Sequence, residues 1–198
     1  MKTPVEDTSA SEPARPILLA KTVVPPVRSD TVDRPHLLAR PEHAATPITV
    51  VAAPAGWGKT TLLAQYARAR SHRSAGSPWM PPTTIITGFW AYLITSLGRA
   101  GADVGESALA ALQVPGLDPV EVALSRLLND LTERDLPLTL ILDDFHLIAD
   151  SQIGEEVEYF INYLPPGVQV VVGTRLDPPL PLALWRGQGL LTGIENQR

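Results

Sequence analysis

Three short stretches of the chain are almost wholly apolar: residues 48–53, Leu138–Leu142 and residues 168–173. Each is shorter than a typical helix and rich in apolar, often β-branched residues, as expected of strands buried on both faces of a sheet. Two weaker stretches, residues 83–87 and 190–194, predict further strands, and we expect the second to lie at a sheet edge. The apolar pattern therefore predicts a sheet of mostly buried strands.

Between these strands, apolar residues recur every three or four positions, which is the spacing of an amphipathic helix. Pro119 suits the first turn of one such helix. Acidic residues suit the first turn of the helix predicted from residue 155, because the helix dipole favours them there. A Ser-, Pro- and Gly-rich segment at residues 71–82 is predicted to be a loop. The predicted helices comprise residues 60–70, 89–100, 119–134 and 155–164.

The sequence VVAAPAGWGKTT, residues 50–61, overlaps the first predicted strand and nearly matches the phosphate-binding pattern G-x-x-x-x-G-K-[ST]. Backbone N–H groups of such a loop, together with the dipole of the helix that follows, bind phosphate oxygens. Lys59 is expected to reach the β and γ phosphates of ATP, Thr60 to coordinate Mg²⁺, and Thr61 to contact the α phosphate. The remaining predicted nucleotide contacts in this loop are Ala55, Gly56, Trp57 and Gly58.

Two positions of this loop need separate interpretation. Ala53 occupies the place of the first glycine, so it must keep an ordinary φ and the chain must bend in another way, for which Pro54 is a candidate. Trp57 either packs beside the loop or stacks on the nucleotide base. For the whole stretch, the alternative is a strand-to-helix turn that contains Gly-Lys-Thr without binding phosphate.

A second cluster of polar residues ends the strand in LTLILDDF, residues 138–145. Asp143 is expected to hold Mg²⁺, and Asp144 to position or activate the water that attacks the γ phosphate. A strand-end turn, which favours Asp, is the alternative for this pair. Arg175, which follows the strand VQVVVGT, is either a sensor of the γ phosphate or a surface arginine. His146 is interpreted as a packing or surface residue.

Strands that alternate with helices predict an α/β fold, with a mostly parallel sheet covered by helices on both faces. Asp143 lies 84 residues after Lys59, which leaves room for a βα unit between their two strands. This spacing indicates the additional-strand class of P-loop NTPases. We expect residues 1–30, rich in Pro, Thr, Ser and charge, to form an irregular arm and residues 31–198 to form the NTPase domain.

Charge and composition change this picture little. The chain has a net charge of −5 and no cysteine, so it has no disulfide framework and no thiolate metal site. Residues 43–102 contain five basic and no acidic residues, and this block either suits a polyanionic ligand or is a chance cluster. Since no signal sequence or long apolar span is visible, we expect a cytoplasmic protein that does not bind a membrane.

Several stretches together carry a family resemblance: RPHLLAR (34–40), AAPAGWGKTTLLAQYA (52–67), FWAYLITSL (89–97), LPLTLILDDFHLI (136–148) and INYLPPGVQVVVGTRLDPPLPLALWRGQG (161–189). They resemble the NTPase domain of the large ATP-dependent LuxR-type transcriptional regulators, the maltose-regulator class of STAND NTPases. In that family, too, alanine replaces the first glycine of the loop. The resemblance implies a switch that binds Mg-ATP, self-associates when it binds ATP with an inducer, and is reset by slow hydrolysis. It also implies that Arg34 lies near the adenine.

The sensor domain and the DNA-binding helix-turn-helix of that family are expected to be absent from this chain, so DNA would be bound only through other parts of a regulator. Three functions remain open. The first is an ATP-binding switch module with slow hydrolysis at most. The second is a truncated or degenerate module that holds nucleotide without hydrolysing it. The third, a small P-loop kinase, is disfavoured because residues 151–167 contain no Arg or Lys for a lid.

Overall fold

A computed structural model of the chain describes residues 17, 19–27, 31–32, 34, 46–69, 73–77, 86–114, 118–148 and 150–195. Within them, five strands form one sheet in which every pair of neighbours is parallel. The strands are β1 (Ile48–Ala52), β2 (Arg73–Ser77), β3 (Leu138–Leu142), β4 (Val168–Thr174) and β5 (Leu191–Glu195). Their spatial order, β2-β3-β4-β1-β5, confirms the predicted parallel α/β fold, and β5 is the predicted edge strand.

Six α-helices accompany the strands in the described part of the chain. A π-helical turn, Gly98–Ala102, extends the second of them, and 3₁₀ helices occupy Leu19–Thr22 and Phe145–Leu147. No described helix is long and apolar enough to cross a bilayer. The α-helices are α1 (Lys59–Ala69), α2 (Ile86–Leu97), α3 (Glu106–Leu112), α4 (Pro119–Arg134), α5 (Ser151–Asn162) and α6 (Leu182–Gly187).

The position of β4 between β1 and β3 decides where polar residues can meet. This strand separates the strand before the phosphate loop from the strand that ends in Asp143-Asp144. In register, Ala52 pairs with Thr174 and Leu142 pairs with Val172. Because the three strands run in the same direction, their carboxyl ends meet at one edge of the sheet, where α/β folds bind ligands. The predicted additional-strand arrangement is therefore confirmed.

The two faces of the sheet pack against different elements. On one face, strand residues such as Val50 and Leu140 join a large apolar core with residues of α2 to α6. On the other face, Val51 and its neighbours pack against Leu63 and Tyr66 of α1. This alternation arises because successive side chains of a strand point to opposite faces of the sheet. The helix that follows the phosphate loop is thus anchored directly on the central strands.

The predictions for the segment before α2 are wrong. The predicted loop at residues 71–82 contains β2. The predicted strand at residues 83–87 fails where the structure describes it, since Ile86 and Thr87 begin α2; the rest of it lies outside the described residues. β2 escapes recognition because it is an edge strand that pairs with β3 alone, and its backbone hydrogen bonds do not require an apolar pattern. Of its side chains, Ala75 packs into the large core.

The helix predictions hold better, although several ends differ. α1 and α2 lie within three residues of their predicted ends, and α4 matches at both ends. α5 begins at Ser151 rather than at residue 155 because Asp150 caps it: the carboxylate accepts the N–H of Gln152 at 2.9 Å. Contrary to prediction, the first turn of α5 holds no acidic residue. The sequence pattern does not predict α3 or α6, since helices this short show little periodicity.

Asp118 is the residue that starts α4, and it does so in a left-handed conformation with φ of 40°. Its carboxylate accepts the N–H groups of Val120 and Glu121 at 3.2 and 3.1 Å.

Asp118→Ala would remove both bonds and place alanine at a positive φ, so we expect the free energy of unfolding to fall by about 1–2 kcal/mol. Asp118→Asn keeps an acceptor and tolerates this φ, and it is the matched control. Urea unfolding followed by circular dichroism measures both, and an alanine variant as stable as the wild type would contradict the capping role.

Candidate functional site

The loop between β1 and α1 has the backbone of a phosphate-binding turn. Gly56 and Gly58 have φ of 81° and 74°, in the left-handed region that glycine adopts without strain. Ala53 has no positive φ, as predicted, and its N–H donates to the carbonyl of Thr174 at 3.2 Å. The chain therefore turns at the two glycines and not at the position where alanine replaces glycine. Residues 54–58 are exposed, so the loop presents its backbone to solvent immediately before the start of α1.

Lys59 extends from the first turn of α1 towards the end of β3. Its side chain is 6% exposed, and Nζ lies 3.2 Å from Oδ1 of Asp144 and 4.0 Å from Oδ1 of Asp143. A buried ammonium group needs such partners because the loss of hydration would otherwise be costly. The predicted phosphate-binding lysine and the two predicted acidic residues therefore meet at one point.

Thr60 and Asp143 form the second contact between α1 and β3. Thr60 Oγ1 donates to Oδ2 of Asp143 at 2.5 Å, and the N–H of Asp144 donates to Oδ1 of Asp143 at 2.8 Å. Asp143 is almost fully buried. Burial raises the pKa of the Asp143 carboxyl above its ordinary value, and the hydrogen bonds from Thr60 and Asp144 oppose that shift. An ionised Asp143 would therefore be favoured by a cation nearby.

These two side chains fit a magnesium ion. A hydroxyl and a carboxylate are hard oxygen donors, and Mg²⁺ in nucleotide sites is held by one or two such groups together with phosphates and water. Among the described residues, no group of three or more His, Cys, Asp or Glu could hold a metal ion by itself. A cation at Thr60 and Asp143 would therefore need further oxygens, such as those of a bound phosphate.

Asp144 lies at the centre of the charged cluster. Its backbone is left-handed, with φ of 51° and ψ of 35°, and its carbonyl accepts the N–H of Leu147 at 2.9 Å in the 3₁₀ turn. Phe145, which is 1% exposed, anchors this turn in the large core. Besides Lys59, Nε of Arg175 lies 3.8 Å from Oδ1 of Asp144. Arg175 follows β4 directly and is half-exposed, so the sequence-predicted γ-phosphate sensor does lie beside the predicted catalytic acid.

The other predicted nucleotide contacts lie along the loop. Nη1 of Arg34 donates to the carbonyl of Trp57 at 3.2 Å, which places Arg34 beside the phosphate loop. Trp57 is 47% exposed, so the described residues leave about half of its surface uncovered. Ala55 is exposed at the tip of the loop, and Thr61 is half-buried in the first turn of α1.

Of the basic block noted in the sequence, the described residues Arg68 and Arg99 do not lie beside this loop. Arg68 lies in the last turn of α1, roughly 14 Å along the helix axis from Lys59 at a rise of about 1.5 Å per residue. There it lines a separate groove together with Arg99 and residues 22–27 of the arm. Of the basic residues described from this block, Lys59 is the one that reaches the acidic cluster.

His146 is the site residue that sequence reasoning missed. Its side chain is 10% exposed, and Nδ1 lies 3.9 Å from Oδ1 of Asp144. Burial lowers the pKa of the imidazole, and the Asp144 charge acts in the opposite direction. Of the two predicted interpretations, packing or surface residue, the low exposure agrees with packing and not with a surface position. The available signal was its position two residues after Asp144, in a segment that must turn sharply at the end of a buried strand.

Comparisons with known proteins add to this picture. No protein-family model matches the chain. The chain is 30% identical over 188 residues to the HTH-type transcriptional regulator MalT of Serratia proteamaculans, and 30% identical over 187 residues to that of Yersinia enterocolitica. Each match covers 92% of this chain and 20% of the relative, so the chain spans about a fifth of these curated relatives. The crystal structure of Cdc6p from Pyrobaculum aerophilum aligns with a TM-score of 0.45 and 20% identity, covering 81% of this chain and 41% of that one.

The close approach of β4 to Asp143 can be tested at Gly173. A Cβ at this position would lie 2.6 Å from Oδ1 of Asp143 and 2.7 Å from Cδ1 of Leu63. Gly173→Ala must therefore displace the carboxylate or α1, and we expect a loss of about 1–3 kcal/mol in the free energy of unfolding.

Gly187→Ala is the matched control, because no atom lies within 4 Å of the Cβ it would add. Urea unfolding of both variants measures the effect. If Gly173→Ala were as stable as Gly187→Ala, the packing of Asp143 against β4 described above would be wrong.

Proposed function

We propose, since the chain is homologous to the MalT class of HTH-type transcriptional regulators, that it forms the ATP-binding switch module of a LuxR-type regulator. The observation that supports this most strongly is the meeting of Lys59 with Asp143 and Asp144. Lys59 begins the helix that follows β1, and the two acidic residues follow β3, a strand that is not a neighbour of β1. They converge at the end of a glycine-containing loop. A turn without a phosphate-binding role would not need a buried lysine at this point.

In this proposal, the phosphates of ATP bind the backbone N–H groups of the loop and the amino end of α1, where the helix dipole favours negative charge. Lys59 leaves Asp144 and binds the β and γ phosphates, and Thr61 contacts the α phosphate. The side of the loop at which Arg34 contacts Trp57 faces the nucleoside. Thr60 and Asp143 hold Mg²⁺, which would neutralise part of the phosphate charge.

Hydrolysis, where it occurs, is expected to be slow. Water attacks the γ phosphorus, the bond from phosphorus to the bridging oxygen breaks, and Asp144 accepts the proton of the water. Arg175 stabilises the charge on the γ phosphate. Nζ of Lys59 lies 3.2 Å from Oδ1 of Asp144, so this oxygen would become available to water once the lysine binds phosphate instead.

For the whole regulator, we propose a cytoplasmic protein in which ATP and an inducer promote self-association. The described domain has the role of the nucleotide switch. DNA is bound by other parts of the regulator, in keeping with the helix-turn-helix named in the relatives.

Two substitutions separate hydrolysis from binding. Lys59→Ala removes a charged phosphate ligand, so we expect affinity for Mg-ATP to fall about 10–100-fold, the scale of a hydrogen bond to a charged group. Asp144→Asn keeps the shape of the side chain but cannot accept the proton, so we expect turnover to fall about 100-fold with little change in affinity. Calorimetric titration measures affinity, and phosphate release measures turnover.

Arg68→Ala is the control, because it removes an exposed basic residue from the same helix, distant from the loop. Binding without turnover in the wild type would favour a module that holds nucleotide without hydrolysing it. Absence of Mg-ATP binding by the wild type would refute both versions of the proposal.

A further inference from the structure

The imidazole of His146 has an unusual environment for a buried polar group. Its side chain is 10% exposed, and its Nδ1 atom is fully buried without a hydrogen-bond partner among the described residues. Buried polar atoms without a partner carry a desolvation cost and are few in native structures, so each one needs an explanation. The nearest charged acceptor is Oδ1 of Asp144, at 3.9 Å, which is slightly too far for a hydrogen bond.

The backbone holds His146 close to this acceptor. Asp144 has a left-handed conformation, and the N–H groups of Leu147 and Ile148 donate to the carbonyls of Asp144 and Phe145 at 2.9 and 3.0 Å. This tight 3₁₀ turn brings the imidazole back beside the carboxylate that lies two residues earlier. The buried ring of Phe145 anchors the turn in the core. His146 is therefore placed by the fold and not by an exposed, mobile loop.

Three donors compete for one oxygen of Asp144. Nζ of Lys59 lies 3.2 Å from Oδ1, Nε of Arg175 lies 3.8 Å away, and Nδ1 of His146 lies 3.9 Å away. Of the three, the lysine is closest, and Nδ1 of His146 has no hydrogen bond among the described residues. In the proposed function, a triphosphate draws both Lys59 and Arg175 towards its own oxygens. Asp144 would then lose its two cationic partners at the step in which its orientation matters most.

We infer that His146 is a positioning residue, which binds Asp144 through Nδ1–H when nucleotide takes Lys59 away. The inference rests on the proposed function and deepens it. A shift of about 1 Å brings Nδ1 within hydrogen-bond distance of Oδ1. The bond fixes one carboxylate oxygen and leaves the other free to accept a hydrogen bond from the attacking water. Burial lowers the pKa of this imidazole, which favours the neutral form, and its Nδ1–H tautomer supplies a single directed donor.

Two substitutions at this position distinguish a donor from a packing group. His146→Phe keeps the ring but removes the nitrogen, whereas the amide nitrogen of His146→Asn lies close to the position of Nδ1. We expect His146→Phe to lower turnover of Mg-ATP about tenfold or more while the Kd stays within about twofold of the wild type. His146→Asn is expected to retain at least about half of the wild-type turnover. Equal turnover of the phenylalanine variant and the wild type, or equal losses in both variants, would overturn the inference.

A second readout does not depend on hydrolysis or on the folding of the phenylalanine variant. The chain has four histidines, so nitrogen-15 labelling of histidine gives few signals, and His146→Asn identifies the one from His146. Saturation of the wild type with Mg²⁺ and a non-hydrolysable ATP analogue should shift the Nδ1 signal of His146 to that of a protonated, hydrogen-bonded nitrogen. An unchanged signal with the analogue bound would overturn the role of His146 but not ATP binding. Failure of the wild type to bind the analogue in calorimetry would overturn both.

Discussion

The buried carboxylate of Asp143 is the constraint on which the rest of the site depends. It lies at the carboxyl end of β3, is 4% exposed, and is held by the hydroxyl of Thr60 and the N–H of Asp144. Burial raises its pKa, so the ionised form is costly at neutral pH unless a cation lies close by. The fold places this costly group beside a phosphate-type loop and a buried lysine. Such a site costs folding free energy in the nucleotide-free protein, and binding of a metal ion with a polyphosphate would offset that cost.

The sheet order makes this arrangement possible. With β4 between β1 and β3, the loop and the acidic residues are separated by one strand width, and Gly173 leaves room there for the Asp143 carboxylate. The N–H of Ala53 donates to the carbonyl of Thr174, which fixes the start of the loop to the same strand. At the centre, one oxygen of Asp144 faces several donors. A nucleotide-driven switch would begin there, because phosphate and Asp144 compete for the same lysine.

Much of the fold follows from strong local patterns, and the failures have physical causes. The buried strands and the long helix α4 have continuous or periodic apolar residues, so they are predictable. β2 is stabilised by pairing at the sheet edge, and α5 starts early because Asp150 caps it; neither feature leaves an apolar signal. In the site, the loop and the two acidic residues follow from the motif and its spacing. For His146 the position two residues after Asp144 was the available signal, and it was too weak because the burial of the ring depends on the left-handed turn at Asp144, which the three-dimensional structure shows.

The most direct test of this account is the effect of Mg²⁺ and ATP on the thermal stability of Asp143→Asn. The amide oxygen can still accept the N–H of Asp144, and the amide nitrogen can donate to Oγ1 of Thr60, so the second bond is kept with its direction reversed. The nucleotide-free variant should therefore have a Tm equal to or above that of the wild type at neutral pH. Because the folded-state pKa of Asp143 is raised, this advantage should shrink as the pH falls through that pKa.

For the wild type, Mg-ATP at about 100 times its Kd should add about 2.7 kcal/mol of stability. We expect Asp143→Asn to lose the part of the stabilisation by ATP that requires Mg²⁺. If Mg²⁺ increased the stabilisation of the variant by ATP as much as that of the wild type, Asp143 would not hold the metal ion and the account would be contradicted.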